Sequence, residues 1–276
     1  MKAVCVVGSS DSGKTTLVER LVPALNERGE TATVKSIHHD VRVDEEGKDT
    51  YRHSEAGAGR VVGVTPERRF SFSDVEDKLD ALAETLDDLA DDGYDYAVVE
   101  GGRDTTLPKI AVGETGARNV VMNDGDEAET QELVDVVENA PRRETLGSLV
   151  RRVEESDDSE RAGAVATFTG RVREENLEDA RTTRLEYEKY DDVADDRMDA
   201  IRDDIESREG VYEVEMYHET GVVRAEEDAV HVVVLAGHRA EAFSAVEDAI
   251  NRLKGEVPIF KKEVTEDGEF WVHDRP

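Results

Sequence analysis

The sequence predicts two units of different class: an α/β domain with a mostly parallel sheet over residues 1–142, followed by an α+β domain over 143–276. The first observation behind this is GSSDSGKT at 8–15, a phosphate-loop spacing set between an apolar strand and a helix. The second is a change of pattern. Strands and helices alternate up to about residue 138, as in a parallel sheet covered on both faces, whereas later strands such as YEVEMYH at 212–218 alternate apolar and polar residues. The third is Pro141, which ends a helical pattern and opens a short linker at 141–144.

In the first unit, AVCVV predicts a buried strand over 3–8, and Leu17, Leu21 and Leu25 share one face of a helix over about 14–28, with Gly29 as its stop. A strand follows at 31–37, and the polar, Gly-rich residues 41–60 read as loop with short helical pieces. A helix at 74–90, a buried strand YAVVE at 96–100, short strands at 110–112 and 120–122 and a helix at 127–138 complete the unit. In the second unit, helices are expected at about 145–155, 191–208 and 240–254, with strands at 162–169, 182–188, 211–217 and 229–236.

Composition narrows the setting. The formal charge is 35 − 67 = −32, so free nucleic acid meets a repulsive average field and is not an expected partner. The acidic residues mostly interrupt helical patterns, as solvated faces do, and such a surface is consistent with life in high salt, where screening weakens self-repulsion. No run approaches the roughly 18–20 apolar residues of a membrane span. The first strand leads directly into the phosphate loop, so no cleavable leader is expected and the cytoplasm is the default compartment. Cys5 is the single cysteine, which excludes an intrachain disulfide and a multi-cysteine metal site.

Gly8, Ser12, Gly13, Lys14, Thr15 and Thr16 are the candidate nucleotide-binding residues. Glycines let the backbone curl so that amides face phosphate oxygens, Lys14 supplies a mobile positive charge, and Thr15 can help to bind Mg²⁺. Glu100, at the end of YAVVE, and Asp40, beyond the second strand, are either further metal ligands or local loop carboxylates. His38 and His39 suit hydrogen bonding better than metal, because adjacent side chains rarely converge on one ion.

In the second unit, Lys254, Lys261 and Lys262 place three of the chain's ten lysines within nine residues, KGEVPIFKK. A lysine ammonium can hold an anion, or can move a proton once its pKa is lowered. Gly255 and Pro258 suggest a turn that brings Lys254 near Lys261 and lets Lys262 face away. GRVR at 170–173 and GHR at 237–239 also end apolar strands, so Arg173, His238 and Arg239 are expected at the same anionic ligand. The alternative for each is a surface ion pair or a cap.

Residues 1–140 resemble the molybdopterin-guanine dinucleotide biosynthesis adaptor family (MobB-like), through the phosphate loop, VKSIHHD at 34–40, GKDTYRHSEAGA at 47–58, VVEGG at 98–102 and PKIAV at 108–112. The resemblance implies a unit that binds GTP and Mg²⁺ and assists a guanylyltransferase partner. Arg103 departs from the commoner aromatic or aliphatic residue there. Residues 145–276 resemble the large catalytic subunit of molybdopterin synthase (MoaE-like). The matching segments are GAVATFTGRVREEN at 163–176, LEYEKY at 185–190, YHETGVV at 217–223, LAGHRAEAF at 235–243, LKGEVPIFKKE at 253–263 and DGEFWV at 267–272.

This second resemblance implies sulfur insertion into cyclic pyranopterin monophosphate, the sulfur coming from the C-terminal thiocarboxylate of a small ubiquitin-like partner. Lys254 and Lys261 would be catalytic. Arg173, His238, Arg239 and, at the periphery, Lys262 would bind substrate, with some residues donated across a homodimer. No bound redox cofactor is implied. Phe260 stands where the family usually has tryptophan, which keeps an aromatic wall and loses an indole donor. The competing reading is a non-catalytic GTP-dependent scaffold. A generic phosphate-loop kinase is weaker, because no acceptor-site motif accompanies the loop.

Overall fold

The computed structural model describes residues 1–39, 41, 44–174 and 181–272. Its packing divides the chain into Met1–Arg143 and Glu144–Pro276.

The first unit runs β1 (Lys2–Gly8), α1 (Lys14–Asn26), β2 (Thr31–Lys35), α2 (Asp49–Glu55), β3 (Arg60–Val64), β4 (Arg69–Ser73), α3 (Lys78–Asp91), β5 (Tyr96–Glu100), β6 (Lys109–Val112), β7 (Val120–Met122) and α4 (Thr130–Glu138). Its main sheet is wholly parallel, in the order β2-β5-β1-β6-β7. β1 sits at the centre and is buried on both faces, which explains an unbroken apolar run. Val4 and Val6 pack with Leu17, Leu21 and Leu25 of α1 and with Leu133 and Val137 of α4. Ala3, Cys5 and Val7 meet Leu82 and Leu86 of α3 on the other face.

Caps explain where the helices begin. Asp77 accepts from the amides of Leu79 (2.7 Å) and Asp80 (3.0 Å), so α3 starts at 78 and not at 74. Glu129 and Glu132 form a reciprocal cap that starts α4 at 130. Gly29 does not stop α1 by a left-handed turn. It leaves room for Asp95, whose carboxylate would clash with any Cβ there. The antiparallel pair β3–β4, in which the ring of Phe70 lies over Gly63, was not expected.

The second unit runs α5 (Leu146–Glu154), β8 (Ala164–Arg171), β9 (Thr182–Lys189), α6 (Asp191–Glu206), β10 (Val211–His218), β11 (Gly221–Arg224), β12 (Asp228–Ala236), α7 (Arg239–Glu256), β13 (Ile259–Thr265) and β14 (Gly268–Val272). It is a mixed α+β unit with two antiparallel sheets, β10-β12-β8 and β11-β9-β13-β14. Val230, Val232 and Val234 of β12 pack under α6 and α7. Val233 and Leu235, on the other face, meet Leu149 and Val153 of α5. β11, β13 and β14 were not expected; for β13, KGEVPIFKKEVT reads by its charge before its alternation. Gly255 lies inside α7, so the turn towards β13 comes at Val257–Pro258 and not at Gly255.

Candidate phosphate site and candidate lysine pocket

At the carboxyl end of β1 the chain turns through Asp11 (φ 58°) and Gly13 (φ 97°) into α1. Gly13 is the N-cap and supplies no side-chain cap, so amides of the first turn remain free to meet an anion. Gly8 pairs with Val112 across to β6, and a Cβ on it would lie 2.5 Å from the Val112 carbonyl oxygen and 2.6 Å from Ser12 Oγ. Ser12 Oγ is itself buried and has no hydrogen-bond partner among the described residues, a polar atom that a phosphate oxygen would satisfy. Lys14 Nζ donates to the Ser9 carbonyl, folded back over its own loop. Thr15 and Thr16 are exposed on the first turn of the helix.

Thr15 Oγ1 donates to Glu100 Oε2 at 3.1 Å, and Lys35 Nζ lies 3.1 Å from Glu100 Oε1. Two of the three expected metal-side residues are therefore adjacent, and Asp40 lies outside the described residues. Among the described residues, no group of three or more His, Cys, Asp or Glu side chains gathers around one point. A hydroxyl, one carboxylate and phosphate oxygens form a donor set of the kind Mg²⁺ takes, since it keeps several waters. His38 Nδ1 lies 3.1 Å from Lys78 Nζ, a hydrogen-bonding role.

Glu100 is held by its strand end. The Gly101 amide donates to the Val6 carbonyl and the Ser36 amide to the Glu100 carbonyl, both at 2.9 Å, and Gly101 and Gly102 have φ of 99° and 72°. The segment from Gly101 to Pro108 crosses β1 to reach β6. The buried Lys109 ammonium anchors it by donating to the carbonyls of Thr105 (2.7 Å) and Leu107 (2.9 Å). Burial pushes the Lys109 pKa down and the Cys5 thiol pKa up. Lys109 lies within PKIAV, where nothing in the sequence marks it as an anchor.

In the second unit, strand alternation sorts the lysines. Lys261 pairs directly with Tyr187, and Lys189 with Ile259, so Lys189, Tyr187 and Lys261 share one face of the four-stranded sheet. Lys262 is on the opposite face, 2.7 Å from a carboxylate oxygen of Glu269 and 3.7 Å from one of Glu186. That face is occupied by its own ion pairs. Lys254, in the last turn of α7, holds its ammonium 5.7 Å from the centre of the Phe168 ring. Among the described residues, no ion pair engages Lys254 or Lys261.

His218, at the end of β10, stands among these groups. Its ring meets Tyr187 edge-on at 4.7 Å, and Nδ1 lies 2.8 Å from the Glu219 carbonyl oxygen. Burial first, then the positive charges of Lys189, Lys254 and Lys261, hold its pKa below the ordinary histidine value. Burial pushes Tyr187 up to about 12. Lys189 is 2.9 Å from Asp195, and Tyr190 packs edge-on against Phe260 at 5.7 Å. His218, Lys189, Tyr187 and Phe168 were missed as site residues, although YHETGVV, LEYEKY and GAVATFTGRVREEN contain them.

The expected convergence of GRVR and GHR on one pocket does not occur within a chain. Arg171 pairs with Asp228 and Ala164 with Ala236, so Arg173 and His238 leave opposite ends of the β8–β12 ladder. Arg239 opens α7 and Lys254 nearly closes it, a rise of about 22 Å at 1.5 Å per residue. Arg173 lies beyond the Arg171 end of β8, whereas His238 and Arg239 are exposed beyond the Ala164 end. One chain therefore cannot bring all three to a single small molecule.

These features define a class: a parallel α/β unit with a glycine turn between its central strand and first helix, followed by an α+β unit that brings lysines near His218. Residues 3–139 match the family described as molybdopterin guanine dinucleotide synthesis protein B, MobB, and residues 143–256 match the MoaE protein family. A probable molybdopterin synthase of Haloferax volcanii is 45% identical over 277 residues, covering 98% of this chain and 99% of that protein. The chain belongs to the same family as that protein, a MobB-like unit fused to a MoaE-like unit. The molybdopterin synthase catalytic subunit of Bacillus subtilis is 40% identical over 128 residues, covering 46% of this chain and 78% of its own length. A crystal structure of molybdopterin synthase from Staphylococcus aureus matches 42% of this chain and 83% of its own, at 39% identity and a TM-score of 0.40.

Proposed function

We propose that the second unit is the catalytic subunit of a molybdopterin synthase, converting cyclic pyranopterin monophosphate to molybdopterin with sulfur from a thiocarboxylated ubiquitin-like partner. The observation that carries this is the set of cations around His218, in which Lys254 and Lys261 lack ion-pair partners among the described residues. Such a pocket in a chain of charge −32 is suited to an anionic pterin and an anionic tail. Lys254 stabilises developing charge or moves a proton beside the reacting atoms, and Lys261 holds the substrate and the partner's tail. Arg173 reaches the pterin phosphate from the Arg171 end of β8. His238 and Arg239 join the site from a second copy of the chain, because one chain cannot bring them there. Phe260 and Tyr190 wall the tail. Lys262 is a peripheral contact at most, given its two carboxylates.

The first unit binds GTP through Gly8, Ser12, Gly13, Lys14, Thr15 and Thr16 and supports a guanylyltransferase partner. Thr15 and Glu100 would hold Mg²⁺, which supplies charge neutralisation for the phosphates. Asp40 is the proposed third metal residue. Joining the units raises the local concentration of successive components.

Reconstitution in high salt with cyclic pyranopterin monophosphate and a thiocarboxylated small partner tests the reading. Molybdopterin is the expected product. A folded wild-type protein that forms none would leave the GTP-dependent scaffold as the better account.

A further inference from the structure

We propose that His218 is the general base that hydrolyses the acyl–sulfur bond joining the partner's tail to the pterin after sulfur transfer. The inference rests on the synthase reading above. It starts from a chemical requirement. When a thiocarboxylate sulfur bonds to a pterin carbon, the partner's terminal acyl carbon is still joined to that sulfur. Water must add to the acyl carbon and the acyl C–S bond must break. The pterin keeps the sulfur as a thiolate, and the partner leaves as a carboxylate. Two protons are released, one taken from the attacking water and one lost by the new carboxylic acid to solvent. No oxidant or reductant is needed.

The site therefore needs a proton acceptor, and most of its groups are poor ones. Lys189, Lys254 and Lys261 are ammonium donors, and the phenol of Tyr187 is neutral with a pKa of about 12. Asp195 is engaged with Lys189. His218 has the required form. A carbonyl oxygen can only accept, so the contact between Nδ1 and the Glu219 carbonyl fixes the proton on Nδ1 and leaves Nε2 as a bare lone pair in the neutral ring. The edge-on contact with Tyr187 sets the plane of the ring. Tyr187 in turn pairs across the sheet with Lys261, placing the imidazole beside the proposed catalytic residues. Burial and the three lysines keep the ring neutral at pH 7, so the base is ready before substrate arrives. The same ammonium groups stabilise the oxygen that becomes negative as water adds.

The test follows one turnover in high salt with cyclic pyranopterin monophosphate and thiocarboxylated partner, using His218→Gln and His218→Ala. Glutamine keeps an N–H donor and lacks the basic nitrogen. The expected result is roughly a 10²-fold slower release of free partner carboxylate. A covalent partner–pterin adduct should accumulate by mass spectrometry, and added imidazole should restore its breakdown in His218→Ala. Wild-type adduct breakdown should be flat near neutrality and slow only below the ordinary histidine range. Wild-type rates in both variants overturn the assignment, as does loss of product without adduct, including loss through misfolding of both. Absence of product from wild type itself overturns the synthase reading, a result distinguishable from either.

Discussion

In the first unit, the nine consecutive residues from Gly8 to Thr16 contain the proposed anion site, with Glu100 reached through one neighbouring strand. In the second, Lys189, His218, Lys254 and Lys261 come from β9, β10, α7 and β13, with 71 residues between Lys189 and Lys261. The first site is mainly backbone: amides, glycines and one lysine at the start of a helix. The second is mainly side chains and exists only if the strands keep register. A one-residue slip of β13 would exchange Lys261 for Lys262 and present an ion-paired lysine to the pocket. Contiguity makes the phosphate loop tolerant of distant change, whereas the lysine pocket depends on the whole unit.

The largest expected effect is on the dispersed site. Lys254→Ala should lower product formation by at least about 10²-fold in the reconstituted reaction, with the circular dichroism spectrum unchanged. An unaffected rate would remove the residue on which the pocket's chemistry turns. For the contiguous site, Lys14→Ala should weaken GTP binding by about 2 kcal/mol, roughly thirtyfold, as read by calorimetry. Equal affinity would break the comparison at its more secure end.

Backbone geometry supplies the next test. Gly101 sits at φ 99°, and a Cβ there would lie 2.9 Å from the Ser36 carbonyl oxygen. Gly101→Ala should cost about 1–3 kcal/mol in urea unfolding and should weaken the Mg²⁺-dependent part of GTP binding, because Glu100 precedes it. A variant as stable as wild type would show that this strand end is not strained.

Glu144 offers a smaller, pH-dependent effect. Burial pushes its carboxyl pKa up, but the charge of Arg152 at 2.7 Å and hydrogen bonds from Arg152 and Ser148 outweigh this and hold it below the ordinary glutamate value. Arg152 is about one-third exposed, so Glu144→Gln should cost only about 1 kcal/mol near neutrality. A carboxylate with a depressed folded pKa stabilises above its unfolded value and loses that contribution as pH falls through the folded one. The gap between wild type and Glu144→Gln should therefore close on acidification. A constant gap in urea titrations would mean the ion pair contributes nothing.

The same contrast explains what could be read from the sequence. β1, α1 and β5 were legible because AVCVV in β1 and YAVV in β5 are unbroken apolar runs and α1 repeats leucine every fourth residue, and the glycine turn needed no tertiary information. Residues 60–73 were not legible: Gly63 and Phe70 make sense as neighbours only once β3 and β4 pair. In the second unit Lys254 and Lys261 drew attention by their scarcity and spacing. His218 did not, because its significance comes from Tyr187 and three lysines brought to it by other elements. His238 and Arg239 showed the opposite failure. Their strand-end position suggested a shared pocket, but the length of α7 puts them at its far end.

Lys261 and Lys262 provide the finest test, because they are sequence neighbours on opposite faces of one strand. Lys262 is half-buried, and its pKa is raised by the hydrogen bond to Glu269 and by the charges of Glu269 and Glu186. Lys262→Ala should change the rate of product formation by less than about twofold, since the group is engaged by Glu269 and Glu186 and faces away from Tyr187. Lys261→Ala should instead raise the KM for the thiocarboxylated partner. If both substitutions act alike, the alternation of β13 does not decide which lysine serves the pocket, and the local charge of KGEVPIFKK matters more than the strand that presents it.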